Sequence, residues 1–311
     1  MNVFVTGGAG FIGSHVTNKI LDAGHEVTVY DDLSKGYQEY VDPRAKFVKA
    51  DLADFEKLRK SILGHDAVIH LAAESIIKDS IDDPKTHLQK NINNAINLLE
   101  AIRLAGIDKI IFSSSAAVYG ETGEKPVSED ALKFPLQPYG SSKLAIEVIL
   151  SAYHHSFGIN STSLRYFNVY GPRDDQLPVT RAVPNWFKAT LTNRPVTLYW
   201  DGRQLRDYIF VKDVASVHLL ALENCTGLNY YNIGSGTGHT MREILESVFK
   251  AAGKTVPITD GGERPGDPNR LVADTRKIGK ELGWQPKYSL EQGIAETYEF
   301  YRTHPESLKR I

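Results

Sequence analysis

The chain has 311 residues, of which 41% are hydrophobic and 24% charged, with 36 Lys+Arg against 38 Asp+Glu and a net charge of −2. That balance argues against a binder of nucleic acid or of an anionic membrane face, and the composition is not that of a disordered chain. Cys225 is the single cysteine, which excludes an internal disulfide and a multi-cysteine metal site. Two stretches, Met1–Asn18 and Asn224–Met241, lack charge, but Gly, Asn, Ser and Thr interrupt both, so neither reads as a membrane span. The first also has no basic segment ahead of it, and the expected location is the cytoplasm.

Met1–Thr6 is a short apolar run and predicts a strand. Phe11–Ala23 places Ile12, Val16 and Ile20 at four-residue spacing and stops at Gly24, which predicts a helix with a glycine cap. Strands follow at Glu26–Tyr30, Lys46–Ala50, Ala67–Leu71, Lys109–Ser113 and Thr162–Tyr166, with helical patterns at about 54–63, 84–105 and 139–157 between them. Parallel strands need crossovers, so this alternation predicts a doubly wound parallel α/β sheet, a Rossmann fold, over residues 1–165. Beyond Tyr166 the texture changes, with Pro172, Pro178, Pro184 and Pro195 breaking the chain. Residues 166–311 therefore read as a second, smaller mixed α/β domain that contacts substrate. Segments near 206–235, notably Arg206–Leu222 and Leu228–Ile233, are expected to return to the first domain.

Three features carry chemistry. Gly7-Gly8-Ala9-Gly10-Phe11-Ile12-Gly13 lies directly between the first strand and the first helix. Glycines there allow a tight turn and close approach to a pyrophosphate, which the helix N-terminus attracts. Asp31 ends the second strand, 18 residues after Gly13. With Asp32 beside it, the carboxylate suits an adenosine ribose and repels a 2′-phosphate, so the expected cofactor is NAD rather than NADP.

The third feature is Tyr139-Gly140-Ser141-Ser142-Lys143. Residues four apart share a helix face, and a cation beside a phenol lowers its pKa toward that of a useful base. Tyr208 and Lys212 repeat the spacing, but in a β-like run with no serine-rich strand end before it. Tyr139 follows Ser113-Ser114-Ser115 at the carboxyl end of a strand, where ligands bind in parallel sheets. A serine there can relay a proton, so Tyr139 is taken as the functional copy and Tyr208 as a packing or surface residue.

Taken together, Thr6–Gly13, His70-Leu-Ala-Ala73, Ser113–Gly120, Pro138–Lys143 and Arg165–Pro172 resemble the extended short-chain dehydrogenase/reductases. Within them the chain is most similar to the NAD-dependent sugar-nucleotide epimerases, of UDP-glucose (UDP-galactose) 4-epimerase type. Arg206-Asp-Tyr208 with Lys212-Asp213, and Arg264-Pro-Gly-Asp267, extend the resemblance to nearly the whole chain. It implies that Ser115 and Tyr139 contact the sugar O4 and that Lys143 holds the nicotinamide ribose. Gly7, Gly10, Phe11, Ile12 and Gly13 would meet the pyrophosphate, and Asp31, Asp32, Leu33, Ser34, Lys35 and Gly36 the adenosine ribose. Asp51 and Leu52 would frame the adenine. Leu71, Ala72, Ala73, Ser75, Asn91, Ser113, Tyr166 and Phe167 would complete the cofactor site on the nicotinamide side. Asn168, Arg206 and Arg264 would hold the UDP diphosphate, Tyr199 would stack on uracil, and Asp267 would bind its ribose. Leu271 would form a wall near the sugar C2 substituent.

The activity this implies is C4 epimerisation of UDP-glucose and UDP-galactose by a homodimer that keeps its NAD and uses no metal. Two departures stand out. Trp200 occupies a position where relatives commonly have glycine, and Glu74-Ser75 looks more like the 4,6-dehydratases. Dehydratases carry acidic residues just after the serine strand end, where this chain has Ala116 and Ala117. A 4,6-dehydratase and a UDP-glucuronate epimerase or decarboxylase are the rival enzymes; a non-catalytic dinucleotide sensor would have no use for Ser115, Tyr139 and Lys143 together.

Overall fold

The computed structural model describes residues 1–175, 181–263 and 268–310. Strand β1 (Asn2–Thr6) buries alternate residues on opposite faces of the sheet it enters. Val3 and Val5 join one core cluster and Phe4 another. From β1 the chain runs through α1 (Phe11–Asp22), β2 (Glu26–Asp31), β3 (Lys46–Lys49), α2 (Phe55–Ser61), β4 (Ala67–His70), α3 (Ile77–Asp82), α4 (Pro84–Ala105), β5 (Lys109–Ser115), α5 (Pro138–Phe157) and β6 (Asn160–Tyr166). The α4 helix starts where the Asp83 side chain accepts from the Thr86 amide and Pro84 fills the first turn. It ends at Gly106 in the left-handed conformation, φ +71°.

Then follow β7 (Asn168–Tyr170), α6 (Ala182–Leu191), β8 (Val196–Leu198), β9 (Leu205–Phe210), α7 (Val211–Glu223), β10 (Leu228–Ile233), β11 (Gly238–Thr240), α8 (Met241–Ala252), β12 (Ile258–Asp260), β13 (Arg270–Leu271), α9 (Arg276–Leu282), α10 (Leu290–Thr303) and α11 (Pro305–Arg310). Seven parallel strands form the main sheet in the order β10-β6-β5-β4-β1-β2-β3. The order reverses beside β1, so the carboxyl ends of β1 and β4 open a crevice. Helices cover both faces: Val16 and Ile20 of α1 with Val214 and Val217 of α7 on one, Leu98 and Ile102 of α4 with Ile146 of α5 on the other. This is the doubly wound α/β fold, with a smaller mixed sheet around β9 and a parallel pair, β8 with β12, beside it.

The strand and helix expectations for the first half hold to within a residue or two at most ends. One expectation in the second half needs correction. Arg206–Leu222 does not return as one piece: β9 pairs with β7, β11 and β13 in a separate sheet, and only α7 packs back against α1. The segment Leu228–Ile233 does return, as edge strand β10. A third core cluster, around Trp186, Phe187, Ile244 and Tyr301, ties α6, α8 and α10 together. Among the described residues no helix is long and apolar enough to cross a membrane.

Candidate active site

At the β1–α1 turn, Gly7 has φ +74°, and a Cβ on it would lie 2.6 Å from the Ala72 nitrogen. A Cβ on Gly13 would lie 2.0 Å from the Gly7 carbonyl oxygen. Only glycine permits this turn. No side chain caps the start of α1 and no acid stands in its first turn, so the helix end remains available to an anion. Asp31 is fixed beside it, its two oxygens accepting from the Ala9 amide at 3.0 Å and the Leu33 amide at 2.9 Å. Burial raises the Asp31 pKa above the usual carboxylate value, against which those two amides act. The turn, the open helix end and the oriented carboxylate fit a dinucleotide. NADP should be retained at least roughly tenfold less than NAD, because its 2′-phosphate would face Asp31 and Asp32. Measuring both nucleotides on refolded protein checks this, and equal retention would remove Asp31 as the selector.

The reacting groups meet through α5. Pro138 opens that helix, and Gly140 lets it approach the turn after β5, since a Cβ there would lie 2.4 Å from the Ala117 oxygen. Tyr139 is thereby brought to Ser115, with which its hydroxyl hydrogen-bonds. Burial raises the Tyr139 pKa, opposed by that bond and by the charge of Arg181. Lys143, buried one turn on, donates from Nζ to the Ser113 carbonyl at 2.8 Å and lies 5.9 Å from the Tyr139 ring centroid. Burial lowers its pKa to about 7, with Glu147 opposing. Beneath them His87 meets the Tyr139 ring edge-on, centroids 6.1 Å apart. Asn91 joins His87, Ser142 and both backbone groups of Glu74, which pins the loop after β4. Glu74 itself pairs with Lys90 at 2.9 Å.

A single cleft of about 1460 Å³ runs from this turn to β8 and β9. Every proposed cofactor residue lines it except Leu33, which turns the chain at φ +63°. Asn168, Tyr199 and Arg206 line its far end. Arg264 and Asp267 lie outside the described residues. Leu271 is not on the cleft wall and packs against the cluster of Ala116, Tyr119 and Phe167. Tyr208 does line the cleft, on β9 rather than a helix, packed on Tyr170, while Lys212 on α7 pairs with Glu296. Trp200 sits at φ +49°, the left-handed region that a glycine adopts without strain. Among the described residues no three side chains converge as a metal site.

Sequence reasoning missed two groups here. Arg181 lines the cleft from the start of α6. Behind Ser114, Glu147 and Arg165 form a buried ion pair of 2.7 Å, and Ser114 donates to Glu147 at 2.6 Å. The one available signal was that Glu147 lies one further turn along the Tyr139–Lys143 face.

Pockets for one ligand span about 300–1,000 Å³. A larger cleft, with a dinucleotide cradle at one end and a proton-transfer pair midway, belongs to an enzyme that brings a nicotinamide cofactor to a bulky alcohol. The comparisons agree. A family model described as GDP-mannose 4,6 dehydratase matches residues 4–297. A UDP-glucose 4-epimerase from Lacticaseibacillus casei is 39% identical over 98% of each chain. The Thermotoga maritima UDP-glucose 4-epimerase, solved with UDP-glucose, superposes with a TM-score of 0.94 at 35% identity, covering 98% of this chain and all of that one (100%). The Thermus thermophilus UDP-glucose 4-epimerase, solved with NAD, gives 0.91 at 40% identity, covering 97% and 99%. The chain belongs to the extended short-chain dehydrogenase/reductases, in their branch of NAD-dependent sugar-nucleotide epimerases.

Proposed function

We propose that the protein is an isomerase that inverts C4 of a UDP-hexose, interconverting UDP-glucose and UDP-galactose through a transient 4-keto sugar. The observation that carries this is the Ser115–Tyr139 hydrogen bond, backed by Lys143, midway along a cleft with room for two ligands. NAD, held by the glycine turn and Asp31, supplies a reversible hydride acceptor when bound. Tyr139 takes the proton of the sugar 4-hydroxyl, with Ser115 as relay, and later returns it to the same oxygen. Lys143, which would hold the nicotinamide ribose, keeps a cation beside the phenol. Asn168, Arg206, Arg264, Tyr199 and Asp267 grip the UDP, so the oxidised sugar stays tethered while it presents its other face. A 4,6-dehydratase needs an acid after the serine strand; Ala116 and Ala117 occupy that turn and the nearby Glu74 is committed to Lys90. Incubation with UDP-glucose, UDP-galactose, their N-acetylated analogues and UDP-glucuronate, with the products separated, tests the reading. Loss of water or carbon dioxide instead of interconversion would overturn it.

Residues 1–165, with α7 and β10 returning from the 206–235 stretch, then form the NAD-binding domain, and the rest of 166–311 the substrate domain of a cytoplasmic enzyme. The adjacent helices α4 and α5 leave Ile96, Leu104, Val148 and Phe157 exposed, which supports a homodimer closed through these helices. Sedimentation should give twice the chain mass; one chain mass would refute it. On sugar choice we infer that Leu271, packed behind the cleft residue Phe167 and not on the cleft wall itself, limits the room for a C2 substituent from behind. A barrier of apolar bulk alone discriminates by about 10–200-fold, so UDP-glucose and UDP-galactose should be preferred and Leu271→Ser should raise relative kcat/KM for the N-acetylated pair. An unchanged ratio would place the wall elsewhere.

A further inference from the structure

The loop from Asp31 to Gly36 borders the cleft where the adenosine ribose would lie. It is rooted on the glycine turn at both ends. At one end Asp31 accepts from the Ala9 amide at 3.0 Å. At the other the Tyr37 amide donates to the Ala9 carbonyl at 3.1 Å, and a Cβ on Gly36 would lie 2.8 Å from the Ala9 carbonyl carbon. Tyr37 is thus the second root, and from it the chain enters a short 3₁₀ turn, Gln38–Tyr40.

Helix α11 sends one side chain onto that root. The Arg310 guanidinium lies over the Tyr37 ring, 4.1 Å from the centroid, and 5.9 Å from the Tyr40 centroid. It pairs with Glu39, donates to the Tyr40 hydroxyl at 3.3 Å and reaches Asp175 at 3.5 Å. Tyr40 itself donates to Asp175 at 2.6 Å. Only 21% of the Arg310 side chain is exposed, and Asp175 is wholly buried. An exposed ion pair holds little, but a covered guanidinium can stack on a ring and donate from its edge at the same time. One cation therefore joins the ribose-loop root, the chain after β7 and α11, although Arg310 does not itself line the cleft.

We propose that Arg310 is a positioning residue for the cofactor site: acting through Tyr37, it latches the ribose loop against the glycine turn and slows release of the dinucleotide. The proposal rests on the glycine turn and Asp31 holding NAD. An enzyme that returns each hydride to the sugar it came from needs a cofactor that outlasts the turnover. The ribose loop must swing away from Ala9 for the adenosine half to leave, and Arg310 opposes that swing from outside the cleft.

The experiment uses full-length, NAD-loaded protein and needs no turnover. Excess NADH is added, and the rising fluorescence of bound NADH reports the rate at which NAD departs. Arg310→Gln should release NAD about five- to thirtyfold faster than wild type, the loss of one stacked and paired cation. Arg310→Lys, which keeps the charge but not the planar fork, should recover part of the difference. Lys309→Gln, at the exposed neighbour on α11, should match wild type. In a Tyr37→Leu background, Arg310→Gln should add little further acceleration. Release from Arg310→Gln at the wild-type rate, or equal acceleration by Lys309→Gln, would overturn the proposal. Undiminished acceleration in the Tyr37→Leu background would overturn it too, because Arg310 would then act elsewhere. A wild-type protein that takes up neither NAD nor NADH would instead overturn the reading of the cofactor site on which the proposal rests.

Discussion

Replacing Tyr139 by Phe should lower kcat by about a thousandfold, within the roughly 10²–10⁴ that a positioned acid–base group supplies, while leaving the fold unchanged. The ring remains, with its edge contact to His87 and its place in the first turn of α5. Only the hydroxyl is lost, and with it the bond to Ser115. That bond links proton transfer to the substrate side, with buried Lys143 at 5.9 Å from the ring centroid. Tyr208→Phe is the matched control. Its hydroxyl faces the Met241 sulfur at 3.9 Å, and its spacing partner Lys212 is occupied by Glu296. Turnover should stay within a few-fold of wild type there. Steady-state kinetics with a melting curve for each variant checks both, and equal losses at the two tyrosines would mean that the wrong copy of the motif had been chosen.

The contrast between the two tyrosines shows what the sequence carried. Tyr-x-x-x-Lys is a helical pattern, and context alone places Tyr139 on a helix and Tyr208 on a strand that ends before Lys212. The glycine turn, Asp31 and the serine strand end were legible for the same reason: each is a local solution to a local constraint. The second half was harder to read because its strands are three to six residues long or shorter still and pair across long intervals, β9 with β7 and β13 among them. Arg206–Leu222 reads as one returning piece in sequence, yet a separate sheet claims the strand and the Rossmann face claims the helix. Arg181 was invisible in sequence because its significance comes from Phe11 and Asp174, which only the folded chain brings to it.

The largest loss of stability should come from Glu147→Ala. Glu147 and Arg165 are each 3% exposed at the side chain. The carboxylate accepts from Arg165 Nε at 2.9 Å and Nη2 at 2.7 Å, and from Ser114. Arg165 also donates to the Tyr119 hydroxyl at 2.9 Å and the Glu129 carbonyl at 3.1 Å, and Tyr119 donates to Asn232. Alanine would leave a buried guanidinium facing neutral partners only, and breaking one side of such a pair costs about 3–5 kcal/mol. Removing both charges with well-filled apolar side chains, as in Glu147→Leu with Arg165→Met, should cost much less, since neither charge is then stranded. The damage should also reach the site. Glu147 is the group that opposes the lowering of the Lys143 pKa, so without it Lys143 should lose its proton more readily and Tyr139 should lose part of its support. Denaturant midpoints for the single and double variants, read beside the pH profile of turnover, separate the two effects. If the double variant were as unstable as the single one, packing volume and not the stranded charge would be what Glu147 provides.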